Sequence, residues 1–347
     1  MRTLKLYTSQ KWLPPDKKWV ILLYPFWGEV PLAPNDPDTG RFEEYLAKGK
    51  QSIELINQLE NCDVAVLPFE YATDQESINY ANKAATEALA ANKKLLVFYN
   101  SDFTSAINLP SSIILRTSFF KSSKKNNEYA FPGWSVDFIK KYAKGAFSHL
   151  PKAPRPEISY CGYIDSLTQT RLSIFSKIKN TFKGKEKDIY KIGQVLRGKS
   201  VRALAADERI KTDFIIRNGF WAEGMEDKNK AKKEYAENML RCPYALVVRG
   251  AGNFSYRLYE VLSCGRIPVF INTDCVLPYE ELIDWKKHVV LVEEKEVGKL
   301  NDKIVAFHQR ISEKDFINLQ FQNRKLYEEW ISPLGFFNHL YQLPIKN

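Results

Sequence analysis

Between Tyr244 and Ile271 the chain reads YALVVRGAGNFSYRLYEVLSCGRIPVFI: an apolar run, a glycine-rich turn, a short amphipathic stretch and a second apolar run. Strand, turn, helix and strand in that order fit a unit of a parallel sheet. The first strand ends with Leu246 to Val248, and Arg249, Gly250 and Gly252 form the turn. Glycines there can take φ > 0 and let an anion approach the main chain. Asn253 or Ser255, both good caps, opens the helix, so its free N–H groups and positive dipole end face whatever lies above the strand ends. Gly265 suits the left-handed position that closes a helix, and Pro268 begins the next strand, which confines the helix to about three turns.

Leu258 and Leu262 lie on one side of this helix, while Arg257, Glu260 and Cys264 share another. Chemistry leaves two readings of the charged pair open. It is either a surface ion pair worth roughly 0.2–0.5 kcal/mol, or an arginine that clamps a diphosphate beside a carboxylate that accepts ribose hydroxyls. The turn is neither a Walker A loop nor a G-x-G-x-x-G fingerprint.

With 347 residues, 44% of them hydrophobic, the chain can fill two domains and is neither disordered nor fibrous in composition. No apolar run of about 18 residues occurs, and the opening MRTLKLYTSQKW has no apolar signal core, so the expected location is the cytoplasm. Cys62, Cys161, Cys242, Cys264 and Cys275 are odd in number and lack C-x-x-C spacing, which fits free thiols in a reducing compartment. The formal charge of +10 asks for an anionic partner: nucleic acid, a membrane surface or an anionic substrate. The lysine patches at 121–125, 177–191 and 228–233 are interrupted by acidic and amide residues and carry no stacking aromatic pattern. They read as solvated helix faces, with peripheral docking on the inner face of an anionic membrane as a second role and no nucleic acid as partner.

Along the first half, strands at 19–24, 64–68, 95–99 and 113–116 alternate with helices near 42–61 and 75–91. In the second half, strands are expected near 158–162, 191–194, 244–248, 269–271 and 289–292. Apolar strands alternating with helices argue for an α/β fold whose parallel sheets are buried on both faces. KAPRPE, at 152–157, reads as a linker between a domain at 1–154 and another at 155–325, followed by an amphipathic tail at 326–347 that packs across the junction.

RGAGNFSYRLYEVLSCGRIPVFI is similar to the signature of exostosin-like glycosyltransferases, in which an Arg-Gly turn, a Ser-x-Arg, a Glu in a short helix and a Gly-x-x-Pro-Val follow in order. LPYEELIDWKKHVVLVEE (277–294) continues the likeness, and ISYCGYIDSLTQTRLSIF (158–175) resembles the start of the same domain, so that residues 158–300 are covered. Cys62–Phe69 and Lys94–Asp102 resemble strands of the family's first domain, without a matching catalytic motif. The resemblance implies the GT-B architecture, two Rossmann-like domains with parallel sheets facing a cleft, the first on the acceptor side and the second holding the nucleotide sugar. It further implies inverting transfer, from a UDP-sugar foremost, to a glycan or lipid-linked acceptor in cell-surface polysaccharide synthesis. On the same resemblance the diphosphate lies on Gly250, Gly252, Asn253, Ser255 and Arg257 and the ribose on Glu260, with Arg171 and Arg249 adding positive charge nearby.

Where arginines and a helix terminus neutralise a departing diphosphate, neither a metal nor a cofactor is needed. Asp36-Pro37-Asp38 is the one DxD-like string, and its Pro and Thr-Gly surroundings make it a turn. His149, His288, His308 and His339 show no ligand spacing. The general base is expected in a loop after a first-domain strand, where Glu70, Asp74 and Asp102 are candidates, each also readable as a cap or a solvated acid. Trp27 and Trp134 can stack on an acceptor sugar or pack in a core, while Trp285 reads as structural. Beside UDP-sugar transfer stand a GDP-sugar (fucosyl-type) donor, a nucleotide-sugar or glycan binder that has lost transfer, and, from charge alone, nucleic-acid binding. The presence of both Arg257 and Glu260 argues against lost transfer.

Overall fold

The computed structural model describes residues 3–164, 185–219 and 227–345, with the backbone alone over 185–191. Six parallel strands form the first sheet: β1 Leu4–Tyr7, β2 Ile53–Leu55, β3 Val64–Val66, β4 Leu95–Tyr99, β5 Ser112–Arg116 and β6 Glu128–Ala130, in the order β2-β1-β3-β4-β5-β6. Five more form the second: β7 Glu157–Tyr163, β8 Lys211–Arg217, β9 Tyr244–Val247, β10 Ile267–Asn272 and β11 Val290–Glu293, in the order β11-β10-β9-β7-β8. β3, β4, β5 and β9 are buried at every position, as strands covered by helices on both faces must be. In each sheet the strand order reverses beside the first strand, at β1/β3 and at β7/β9, and an open parallel sheet binds ligands above such a reversal.

Three expected elements differ. Residues 19–24 are not a strand but a 3-10 turn, Ile21–Leu23, running into the single helical turn Tyr24–Trp27 with Pro25 in it. The true first strand, Leu4–Tyr7, turns only Leu4 and Leu6 fully inward, which hides it in a polar context. Residues 42–61 are divided: helix Glu43–Lys48 gives way to a turn at Gly49–Gln51, and Ile53–Leu55 is the edge strand β2. Gly49 and Ser52 disfavour continued helix there. Residues 191–194 lie inside helix Lys185–Ala205, and the strand is instead β8, an edge whose Lys211, Asp213 and Arg217 conceal it.

One apolar cluster joins Val66, Leu96 and Phe98 of the first sheet to Val247 and Phe270 of the second. The C-terminal segment closes it. Phe337 packs on Tyr45 at 4.6 Å and on Trp134 at 5.4 Å between ring centroids. The indole N–H of Trp134 donates to Ile331 O (2.8 Å), the Tyr279 hydroxyl to Phe336 O (2.8 Å) and the Ser52 hydroxyl to Asn338 Oδ1 (2.6 Å). Arg324 donates to Asp137 Oδ1 of the first domain (2.8 Å) and to Ser263 O of the second (2.5 Å). The 121–125 patch is not a bare solvated face, for Lys121 and Lys124 pair with Glu280 and Glu281 across the same junction. All five cysteines are buried and unpaired.

Phe337 is 2% exposed and packs on Tyr45, Phe98 and Trp134 of the first domain. Replacing it by Ala is expected to lower stability by about 3–5 kcal/mol, read as a shift in the urea midpoint.

Candidate active site

The carboxyl ends of β7 and β9 carry Cys161 to Tyr163 and Val248, Gly250 and Ala251, which line a cavity of about 540 Å3. Asp38, Arg41, Asp102 and Ser135 of the first domain form the opposite wall. Helix Tyr256–Ser263 starts inside it: Ser255 is the N-cap in extended conformation, and its hydroxyl makes no capping bond. The helix ends as the sequence requires. Gly265 sits at φ +62°, and a Cβ there would meet the Phe147 ring at 2.3 Å.

Arg257 and Glu260 are no surface pair. Glu260 Oε1 accepts from Lys232 Nζ at 3.0 Å and Oε2 from the Tyr235 hydroxyl at 2.5 Å. Arg257 donates from Nε to the Tyr235 oxygen (3.1 Å) and from Nη2 to Cys161 O (2.5 Å), and it lies 4.4 Å over the Tyr160 ring. Lys232 Nζ also reaches Asp38 Oδ1 at 3.3 Å and donates to Ser135 Oγ at 2.8 Å. A buried ammonium therefore stands between carboxylates of two domains, all three residues being at most 8% exposed. Burial opposes the charge on Lys232, but Glu260 and Asp38 outweigh it and raise its pKa. Burial likewise pushes the Asp38 carboxyl up, yet Lys232, Ser135 and the Val136 amide together bring it below its usual value.

Asp36-Pro37-Asp38 is indeed a turn, with Asp38 N–H donating to Asp36 Oδ1 at 2.8 Å. Nothing in the residues around Asp38 points to a place in the cleft. Lys232 and Tyr235 were missed as well, although a signal existed. On helix Lys228–Arg241 the inward stripe of Ala231, Ala236 and Met239 also takes in Lys232, and a lysine on an apolar stripe needs a partner.

Of the residues expected to hold a donor, Gly250, Ser255, Arg257 and Glu260 line the cavity, and Arg171 lies outside the described residues. Gly252 and Asn253 instead fasten the turn to the first domain. Gly252 N–H donates to Asp102 Oδ1 (3.0 Å) and Asn253 N–H to Ser118 Oγ (2.8 Å), while the Asn253 amide donates to Phe119 O and Asp274 O. Neither Gly250 nor Gly252 takes a positive φ. Gly252 is needed for close approach, since a Cβ would stand 2.7 Å from Asp102 Oδ1. Arg249 is buried and donates to Gly252 O (3.2 Å) and Ala251 O (2.9 Å), so it shapes the turn from within, and burial lowers its pKa. The cavity's positive charge comes from Arg41, Arg197, Arg217, Lys228, Lys232 and Arg257, six cations against the three carboxylates Asp38, Asp102 and Glu260, an excess of three.

The three candidate bases separate. Asp74 caps helix Gln75–Ala90, accepting from the Ser77 amide (2.8 Å) and hydroxyl (2.7 Å), which pull its pKa down to about 2 and make it a poor proton acceptor. Asp102 lines the cavity with one oxygen bound to Gly252. Glu70 follows β3 and is surface-accessible, yet the surrounding walls displace enough water to raise its pKa against the opposing pull of Asn100 and Arg41. Trp134 belongs to the core, and Trp285 fixes its own turn by donating to Pro278 O at 3.0 Å. Trp27 is half-buried against Trp19. No group of three or more His, Cys, Asp or Glu side chains that could hold a metal exists among the described residues.

Residues 162–306 match the exostosin GT47 domain. An exostosin-1 homolog from Caenorhabditis elegans is 26% identical over 136 residues, covering 38% of this chain and 35% of that protein. A probable glucuronosyltransferase 47 A from Physcomitrium patens is 43% identical over 82 residues, covering 23% of this chain and 18% of that protein. The chain thus spans 35% or less of the length of these curated relatives. A glycosyltransferase crystal structure from Rickettsia africae ESF-5 aligns over 98% of this chain and 97% of its own, at 11% identity and a TM-score of 0.35.

Lys232→Met leaves two buried carboxylates without their cation and is expected to cost about 3–5 kcal/mol. In the wild type, Asp38 is held low, so its contribution is present above its ordinary value of 3.8 and lost as the pH falls through the lowered one. In the variant, burial of Asp38 is opposed only by Ser135, the Val136 amide and Arg41, so its carboxyl rises and acid relieves the strain. The deficit should shrink between about pH 8 and about pH 5 in urea titrations.

Proposed function

We propose that this chain, whose residues 162–306 form an exostosin-like glycosyltransferase domain, moves a sugar from a nucleoside diphosphate to a hydroxyl of a glycan or lipid-linked acceptor. The observation that carries this reading is the cavity above the β7/β9 reversal, where a helix N-terminus, Arg257 and an excess of cations converge. A diphosphate fits over Ser255 and the first turn of helix Tyr256–Ser263, with Arg257 and Lys232 supplying charge. Ribose hydroxyls donate to Glu260, each of whose oxygens retains accepting capacity beyond Lys232 and Tyr235.

The acceptor hydroxyl gives its proton to Glu70, its oxygen attacks the anomeric carbon opposite the diphosphate, and the bond from that carbon to the diphosphate oxygen breaks. A single displacement of this kind inverts the configuration. Glu70 suits the role because its raised pKa brings it nearer to the operating pH, whereas Asp102 is held by the Gly252 amide. Side-chain cations stabilise the leaving diphosphate, so the reaction in this reading runs without a metal. UDP is the nucleotide we favour. A lipid-linked acceptor would bring the protein to a membrane surface; no helix among the described residues is long and apolar enough to cross one.

In a thermal-shift series, UDP at about a thousand times its Kd should stabilise the protein by about 4 kcal/mol. A response to GDP alone would replace the donor, and a response to neither would overturn the reading. Glu70→Gln should keep UDP binding and lose about 10²- to 10⁴-fold in transfer rate; unchanged turnover would remove Glu70 as the base.

A further inference from the structure

The arginines lining the cavity are bonded to the protein, with one exception. Arg257 donates to Cys161 O and Tyr235, Arg197 to Arg249 O (2.9 Å), and Arg217 to Ala231 O (2.7 Å) and Glu234 Oε2 (3.0 Å). The Arg41 guanidinium finds no hydrogen-bond acceptor and no ion pair among the described residues, and its Nε is buried without a partner. Its position is nonetheless set. The Arg41 amide donates to Asp38 O at 3.2 Å, and the guanidinium lies 4.9 Å over the Phe42 ring. Of the carboxylates lining the cavity, Asp38 is taken by Lys232 and Ser135 and Asp102 by Gly252, while Glu29 and Glu70 feel the Arg41 charge without pairing with it.

A buried guanidinium donor without an acceptor is rare, because nothing offsets its desolvation, and a rigid fork of N–H groups matches the paired oxygens of a phosphate or carboxylate. Arg41 lines the same cavity as Ser255 and Tyr256 at the start of helix Tyr256–Ser263, and its charge acts on the Tyr256 hydroxyl. It also borders a second cavity of about 350 Å3, but there Glu43, Glu44 and Asp137 balance Arg41, Lys140 and Lys141 and give an anion no advantage. In the larger cavity the cations are in excess by three, six against three.

We propose that Arg41 is the first domain's contact to an oxyanion of the bound donor, either its diphosphate or an acid group on its sugar. The inference rests on the nucleotide-sugar reading above, and it assigns a role outside residues 162–306, the region matched to the exostosin domain.

The test is isothermal titration of the full chain, wild type, Arg41→Gln and Arg41→Lys, with UDP, UDP-glucose and UDP-glucuronate. If Arg41 meets the diphosphate, Arg41→Gln loses about tenfold or more in affinity for all three, and Arg41→Lys recovers part of it. If it meets an acid group on the sugar, only UDP-glucuronate weakens. Equal affinities in wild type and Arg41→Gln overturn the inference. So does a fall in the unliganded melting temperature of both variants without a selective loss of binding, which would mark Arg41 as structural. A wild-type chain that binds none of the three overturns the nucleotide reading and this inference with it.

Discussion

One ammonium group ties the two walls of the cleft together. Asp38 and Glu260 approach each other from different domains, and like charges that close in a buried space repel strongly unless a cation lies between them. Lys232 fills that place, and the consequences run outward from it. Glu260 is turned toward Lys232 and Tyr235, Tyr235 in turn orients Arg257, and Arg257 closes on the end of β7. This side of the cavity inherits its geometry from a residue on helix Lys228–Arg241, which lies outside the glycine-rich turn and the helix that follows it.

The turn itself serves two masters. Glycines that bring a main chain close to an anion and glycines that bring it close to a neighbouring carboxylate leave the same trace in a sequence. At Gly252 the neighbour is Asp102, from the loop after β4, and at Asn253 it is Ser118, from the stretch after β5. The loop that faces the cavity at Gly250 is thereby anchored to the first domain. A displacement of that domain would be felt at once where a diphosphate would rest.

What the sequence revealed follows from how local its marks are. Ser255, Gly265 and Pro268 delimit helix Tyr256–Ser263 through neighbours within a few residues, and the central strands announce themselves as unbroken apolar runs. Edge strands are half-solvated, so β2 and β8 carry charges and escape notice, while the inner strand β1 is short and sets an exposed Lys5 between its two buried leucines. The charged network escaped for a different reason: Asp38 and Lys232 are 194 residues apart, and nothing in either stretch specifies the other. Arg249 shows the converse error, a cation beside a promising turn whose donors point into that turn.

The first sheet is made of residues 4–130, yet its packing is completed by Phe336 and Phe337, and Ser52 finds Asn338 286 residues further on. A chain emerging from a ribosome therefore exposes the apolar face around Phe98 and Trp134 throughout synthesis of the second domain, and covers it only when the final helix arrives. The domain that is made first is the one finished last.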